Sequence, residues 1–87
     1  MYKVKTTNRF DKEFKKLDPY IKQMIKSWII KNLVDCDDPR QYGKALVGDR
    51  VGQWRYRVGD YRIICTIDDN NLIILALEVG HRRIIYK

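Results

Sequence analysis

The sequence predicts an α+β fold in the order β-α-α-β-β-β, an antiparallel sheet with two N-terminal helices packed on one face. Three observations predict it. In "YKVKT" at 2–6 apolar residues alternate with lysines, the period-two pattern of a half-buried strand. A stripe at helical spacing follows, made of Ile21, Met24, Ile25, Trp28, Ile29 and Leu33. In the second half, three apolar runs are separated only by "GD" at 59–60 and "DDNN" at 68–71, short turns that imply an antiparallel meander.

The first strand covers Tyr2 to Thr6. Asn8 then caps a short helix, with Asp11 near its positive end and Phe10, Phe14 and Leu17 on one face. "LDPY" at 17–20 ends that helix and begins another, because Asp18 suits an N-cap and Pro19 the first helical position. The second helix runs to about Val34, and its Met24 and Trp28 read as core, not ligands. From 35 to 52 Asp, Pro, Gly and Arg dominate, with Leu46 and Val47 as the apolar anchor, so a long surface loop is expected. Strands follow over Trp54–Val58, Tyr61–Asp68 and about Leu72–Val79, with Trp54 and Tyr56 turned to the helices.

A chain of 87 residues builds one core, so residues 1–87 are read as a single domain. The longest apolar run, Leu72 to Leu77, is strand-sized, and "MYKVKTTNRF" has no stretch like a signal peptide; a cytoplasmic location and no membrane span are expected. Cys36 and Cys65 form no CxxC pair, His81 is the single histidine, and "DCDDP" at 35–39 lacks the spacing and glycine of a calcium loop. Neither a disulfide nor a metal or other cofactor is expected. The net charge of +7 on so small a domain points towards a polyanion such as nucleic acid, ahead of a membrane surface. Lys12, Lys15, Lys16, Lys22, Lys26 and Lys31 either solvate the helices or extend that cationic surface.

The hairpin "QWRYRVGDYRII" at 53–64 carries the sharper signal. In a two-residue Gly59-Asp60 turn, Val58 pairs with Tyr61 and Arg57 lies opposite Arg62, with Arg55 on the same face. Like charges facing one another across a ladder cost up to about 1 kcal/mol, so an anion is expected there. An antiparallel last strand returns His81, Arg82 and Arg83 to the hairpin tip, so Arg55, Arg57, Arg62, His81, Arg82 and the nearby Tyr86 are expected to converge at one end of the sheet. Arginine also pairs with Asp60 or Glu78 and stacks on Trp54, Tyr56 or Tyr61. Two acids fall short of four arginines, which favours a bound phosphate group.

"ALVGDRVGQWRYRVGDYRII" followed by "VGHRRIIY" resembles the RelE/ParE superfamily of toxin-antitoxin toxins. The resemblance covers nearly the whole chain and implies a RelE-like, microbial-ribonuclease-like fold. RelE-like members bind the ribosomal A site and cleave mRNA there without a metal, by attack of the ribose 2′-hydroxyl on the adjacent phosphate. The family's basic pair on the second strand falls on Arg55 and Arg57. Its arginine opening the next strand falls on Arg62, the arginine after the last strand on Arg82, and its C-terminal tyrosine on Tyr86.

This sequence has arginines where the best-known pattern has lysines, and arginine stays protonated in proteins. The proton acceptor is therefore sought elsewhere, at His81, since histidine is the side-chain type that titrates near neutrality, or at Tyr86. On this reading Arg57, Arg62 and Arg82 stabilise charge on the phosphate. Arg55, Arg83 and the helix lysines Lys12, Lys15, Lys16, Lys22 and Lys26 hold RNA. The partners implied are the ribosome, mRNA and a RelB-like antitoxin. Two other readings stay open: a ParE-like inhibitor of DNA gyrase without nuclease activity, and a non-catalytic RNA-binding module.

Overall fold

The computed structural model describes residues 1–85; the Tyr86 assigned from the sequence lies outside them. The elements are β1 (Lys3–Thr6), α1 (Asn8–Lys15), α2 (Pro19–Asn32), β2 (Lys44–Ala45), β3 (Trp54–Val58), β4 (Tyr61–Asp68), β5 (Ile73–His81) and the short α3 (Arg82–Ile85), with a 3₁₀ turn at Gly48–Arg50. The strands form one sheet in the order β1-β5-β4-β3-β2.

The α+β arrangement expected from the pattern is present, with one correction to the sheet. β1 pairs with β5 in parallel, Val4 opposite Ile74, whereas the β2–β3, β3–β4 and β4–β5 pairs are antiparallel. The alternation in residues 2–6 fixes which side chains are buried and says nothing of strand direction.

α1 starts one residue earlier than expected. Thr7, not Asn8, is the N-cap: its hydroxyl accepts from the Phe10 N–H at 3.1 Å and donates to the Leu77 carbonyl at 2.8 Å, pinning the helix start to β5. Thr supplies the cap as Asn would, and the tertiary bond to Leu77 decides between them. In α2, Pro19 opens the first turn as expected, and the helix stops at Asn32. Phe10, Ile25 and Leu33 pack on Tyr56, Val58, Ile63, Cys65, Ile74 and Val79 to make the core. Both helices therefore cover one face of the sheet.

The segment expected as a plain loop is tied down. Arg40 grips Asp69 with two hydrogen bonds of 2.9 and 3.1 Å, and Tyr2 donates to the same carboxylate at 2.6 Å. These donors hold the Asp69 carboxyl below its ordinary value. Tyr56 donates to the Pro39 carbonyl at 2.6 Å from within the core, and burial raises its phenol. Burial likewise pushes the Cys65 thiol up to about 12. From the ordinary thiol value of 9.0 up to about 12 the unfolded chain ionises at this position while the folded chain does not, so stability falls as pH rises through that window. Thiol labelling at pH 8 is expected to modify the partly exposed Cys36 first and Cys65 only on unfolding, a burst of both in the native protein being the contrary result.

Between Ile64 and Cys65 the β4–β5 register shifts: Ile64 faces Glu78, and Cys65 faces Ala76. Leu77 is thus an extra residue in β5. A bulge of this kind re-aims the side chains beyond it. Ala76 and Ile74 stay in the core, while Glu78 turns to the face that carries Arg62.

Candidate nucleic-acid interface

Gly59, at φ +59, fills the first central position of the turn between β3 and β4, where a II′ loop favours a residue without Cβ. The register that follows sets Val58 opposite Tyr61, Arg57 opposite Arg62 and Arg55 opposite Ile64. Cross-strand partners share a face. Arg55, Arg57 and Arg62 therefore lie on the side of the sheet away from α1 and α2, as the two-residue turn predicts.

Arg62 is the unusual member. It is only 5% exposed, and its guanidinium makes one hydrogen bond, from Nη1 to the Tyr61 carbonyl at 3.3 Å, while its buried Nε has no partner. Among the described residues no carboxylate pairs with it. A buried cation without a counter-charge costs free energy that folding must supply elsewhere. Arg57, directly across from it, is exposed and also makes no ion pair among the described residues.

Glu78 is the acid positioned to neutralise them. It sits opposite Ile64 on β5, one diagonal step from Arg62, whose own partner is Gly80, and long side chains span that diagonal. Glu78 is instead taken by two other arginines. Arg50 of the 3₁₀ turn reaches Oε2 at 3.0 Å and Oε1 at 3.3 Å, and Arg9 of α1 approaches Oε1 at 3.5 Å. Gln53 steadies Arg50 at 3.2 Å. The carboxylate is occupied, and no other acid among the described residues pairs with Arg62.

Sequence reasoning missed two contributors here. Lys44 lies opposite Arg55 across the β2–β3 ladder, a second like-charge pair beside Arg57–Arg62; a two-residue strand inside a Gly- and Asp-rich segment leaves no periodic trace. Arg50 was part of the expected loop, and only the bulge at Leu77 brings Glu78 within its reach.

The C-terminal group is brought to the same end of the sheet but divided between faces. His81 is opposite Tyr61 and meets its ring edge-on at 5.5 Å between centroids. Tyr61 follows Val58 onto the helix side, so His81 faces a cleft with Lys16, Leu17 and Val79, not Arg57 and Arg62. The expected convergence of His81 with the arginines on one face is therefore corrected. Alternation along β5 is the reason, since His81 lies two residues beyond the buried Val79. His81 Nδ1 accepts the Arg83 N–H at 3.3 Å, so the neutral ring carries its proton on Nε2. Arg82 and Arg83 are exposed at the start of α3, and the Arg82 N–H donates to the Asp60 carbonyl at 3.0 Å, fixing α3 to the hairpin tip. Lys12 and Lys15 on α1, Lys16 at its C-cap and Lys22 and Lys26 on α2 belong to the helical layer, across the sheet from the arginines. No cluster of potential metal ligands occurs among the described residues, and none of their helices is long and apolar enough to cross a membrane.

Residues 4–86 match the family described as the ParE toxin of type II toxin-antitoxin systems, parDE. The chain belongs to the RelE/ParE superfamily of type II toxins. Toxin RelG of Mycobacterium tuberculosis is 30% identical over 86 residues, spanning 99% of this chain and 97% of that one. Among solved structures, the toxin-antitoxin complex RelBE2 of the same organism contains a chain with a TM-score of 0.84 and 30% identity, covering 93% of this chain and 98% of that chain. The isolated RelE toxin of E. coli shares the fold at a TM-score of 0.72 and 18% identity, over 99% of this chain and 92% of that chain. RelE/ParE membership thus accounts for the helical layer and the mixed sheet. The superfamily includes members without nuclease activity, so the activity of this toxin has to be argued from its own arginine face.

Proposed function

We propose that this toxin is a ribosome-dependent endoribonuclease that cuts mRNA in the A site and is held in check by a RelB-like antitoxin. The observation that carries the reading is Arg62: a guanidinium buried beside Arg57 that no carboxylate among the described residues pairs with. A phosphodiester supplies the missing charge. In the proposed step the ribose 2′-hydroxyl attacks the adjacent phosphorus, the bond to the 5′-oxygen of the next nucleotide breaks, and a 2′,3′-cyclic phosphate remains. Arg57, Arg62 and Arg82 stabilise the charge that builds on the phosphoryl oxygens, the kind of preorganised stabilisation that often dominates catalysis. No metal takes part in the proposal.

His81 faces the helix side, across the sheet from Arg57 and Arg62, so in the proposal it is a secondary acceptor of the 2′-hydroxyl proton and the principal one comes from the ribosome. The His81 Nε2 offers a lone pair only in the other tautomer, which gives up the Arg83 N–H bond. His81→Gln is accordingly expected to slow cleavage by about tenfold, less than loss of an arginine. Equal losses would move the main proton-transfer role to His81. No histidine among the described residues lies on the arginine face, His81 sharing a cleft with Glu13 on the helix side, so the ribosome is taken to complete the site. Purified protein is expected to cut ribosome-bound mRNA and to leave naked RNA of the same sequence nearly intact. Equal rates on both substrates would overturn the ribosome requirement, and no cleavage of either would overturn the nuclease reading.

The match to the ParE description favours a second reading, poisoning of DNA gyrase without RNA cleavage. That reading gives the buried Arg62 no ligand. DNA damage in expressing cells with intact mRNA would support it.

A further inference from the structure

Where β2 ends, β3 continues without an outer neighbour, and a cleft of about 430 Å³ opens beside it. That volume lies within the range of small-ligand sites, about 300–1,000 Å³. Trp28 of α2 and Tyr42 form an aromatic wall, their rings 5.9 Å apart and inclined at 72°. Tyr56 supports Trp28 from the core at 5.5 Å. Lys44, Arg55 and Arg57 complete the lining.

The backbone fixes this shape. Gly43 has φ +82, and a Cβ there would stand 2.2 Å from the Arg55 carbonyl oxygen, so residue 43 must be glycine for the loop to press onto β3. The Tyr42 carbonyl accepts the Trp54 Nε1–H at 2.7 Å, which holds the neighbouring tyrosine in place. Tyr42 packs edge-on to Trp28 and is still 38% exposed towards the cleft. Lys44 faces Arg55 across the ladder, which sets two cationic side chains side by side along the cleft.

We infer that this cleft is a nucleotide subsite for single-stranded RNA, with a base against Trp28 and Tyr42 and the flanking phosphates on Lys44, Arg55 and Arg57. The choice of RNA rests on the nuclease reading; the subsite itself deepens it. Aromatic faces beside a cationic track match the repeating base and phosphate of a single strand, whereas an acidic peptide would satisfy the cations and leave the aromatic wall unused. Arg57 lines this cleft and also faces Arg62. The subsite therefore receives a nucleotide next to the scissile phosphate.

The test titrates tryptophan emission of the full chain with a 2′-O-methyl trinucleotide, which lacks the attacking hydroxyl, and with the same probe abasic at its centre. Wild type is expected to bind the intact probe five- to a hundredfold more tightly. Tyr42→Ala is expected to bind both probes alike, at the weaker value. Equal affinity of wild type for the two probes overturns the subsite, and so does a Tyr42→Ala variant that still separates them. Quenching by hexaglutamate but not by RNA overturns it in favour of a protein ligand. Neither probe is cleavable, so a chain that separates them yet leaves ribosome-bound mRNA uncut loses the nuclease reading and keeps the subsite.

Discussion

Arg62→Met is expected to lower cleavage of ribosome-bound mRNA by about 10²- to 10³-fold, the usual cost of removing one donor aimed at developing charge, while making the fold more stable. Methionine keeps an unbranched apolar stem in the space that Arg62 fills. It removes a buried guanidinium with an orphaned Nε and one carbonyl contact, and it ends the repulsion across the ladder from Arg57. Relief of the unsatisfied polar group is worth about 1–2 kcal/mol and of the like-charge pair up to about 1 kcal/mol. The urea midpoint is therefore expected to rise. A variant that loses stability along with activity would show that the guanidinium is a structural element whose burial the fold needs.

Arg50→Ala is expected to weaken phosphate binding and cleavage by about 10- to 100-fold although Arg50 holds no substrate in the proposal. Its removal leaves the Glu78 carboxylate, 8% exposed in its side chain, with only the 3.5 Å contact to Arg9. A buried carboxylate deprived of its partner seeks another cation, and Arg62 is one diagonal away on the same face. Pairing there fills the site that RNA would occupy. The double variant Arg50→Ala with Glu78→Gln is expected to recover activity to within a few-fold of wild type, because the competing charge is gone. Arg50→Ala alone should cost about 1–3 kcal/mol of stability, below the 3–5 kcal/mol typical of a broken buried pair, since Arg9 and Arg62 compensate. Failure of the double variant to recover, in a folded protein, would show that Arg50 acts by some route other than holding Glu78.

The contrast between these arginines also explains what the sequence could and could not reveal. The hairpin was legible because a two-residue turn sets its register: once Gly59-Asp60 is placed, Arg57 must face Arg62. The helices were legible from the spacing of Ile21 to Leu33 and from Pro19. The parallel pairing of β1 was not, because alternation records burial and carries no direction. The bulge at Leu77 left no local mark, yet it decides that Glu78 shares a face with Arg62. Lys44 and Arg50 were hidden for a related reason, since their positions depend on where residues 40–53 are anchored by Asp69, Trp54 and Glu78. His81 was placed at the correct end and on the wrong side, an error that counting two residues back to Val79 would have exposed.

The split between faces bears on how the toxin would meet its target. The helix-borne lysines and the arginine face point to opposite sides of the sheet, so no flat polyanion touches both. A cleft walled by RNA does, and binding that engages both sides is expected to weaken steeply with salt.

The most direct test of the central claim, that the arginine face acts on mRNA phosphates, is to map the 5′ and 3′ ends of cellular mRNA after induced expression of wild type and of Arg62→Met. Codon-phased cuts are expected with wild type and none above background with the variant. Cuts that persist undiminished in Arg62→Met, or intact mRNA alongside DNA damage in wild type, would contradict it.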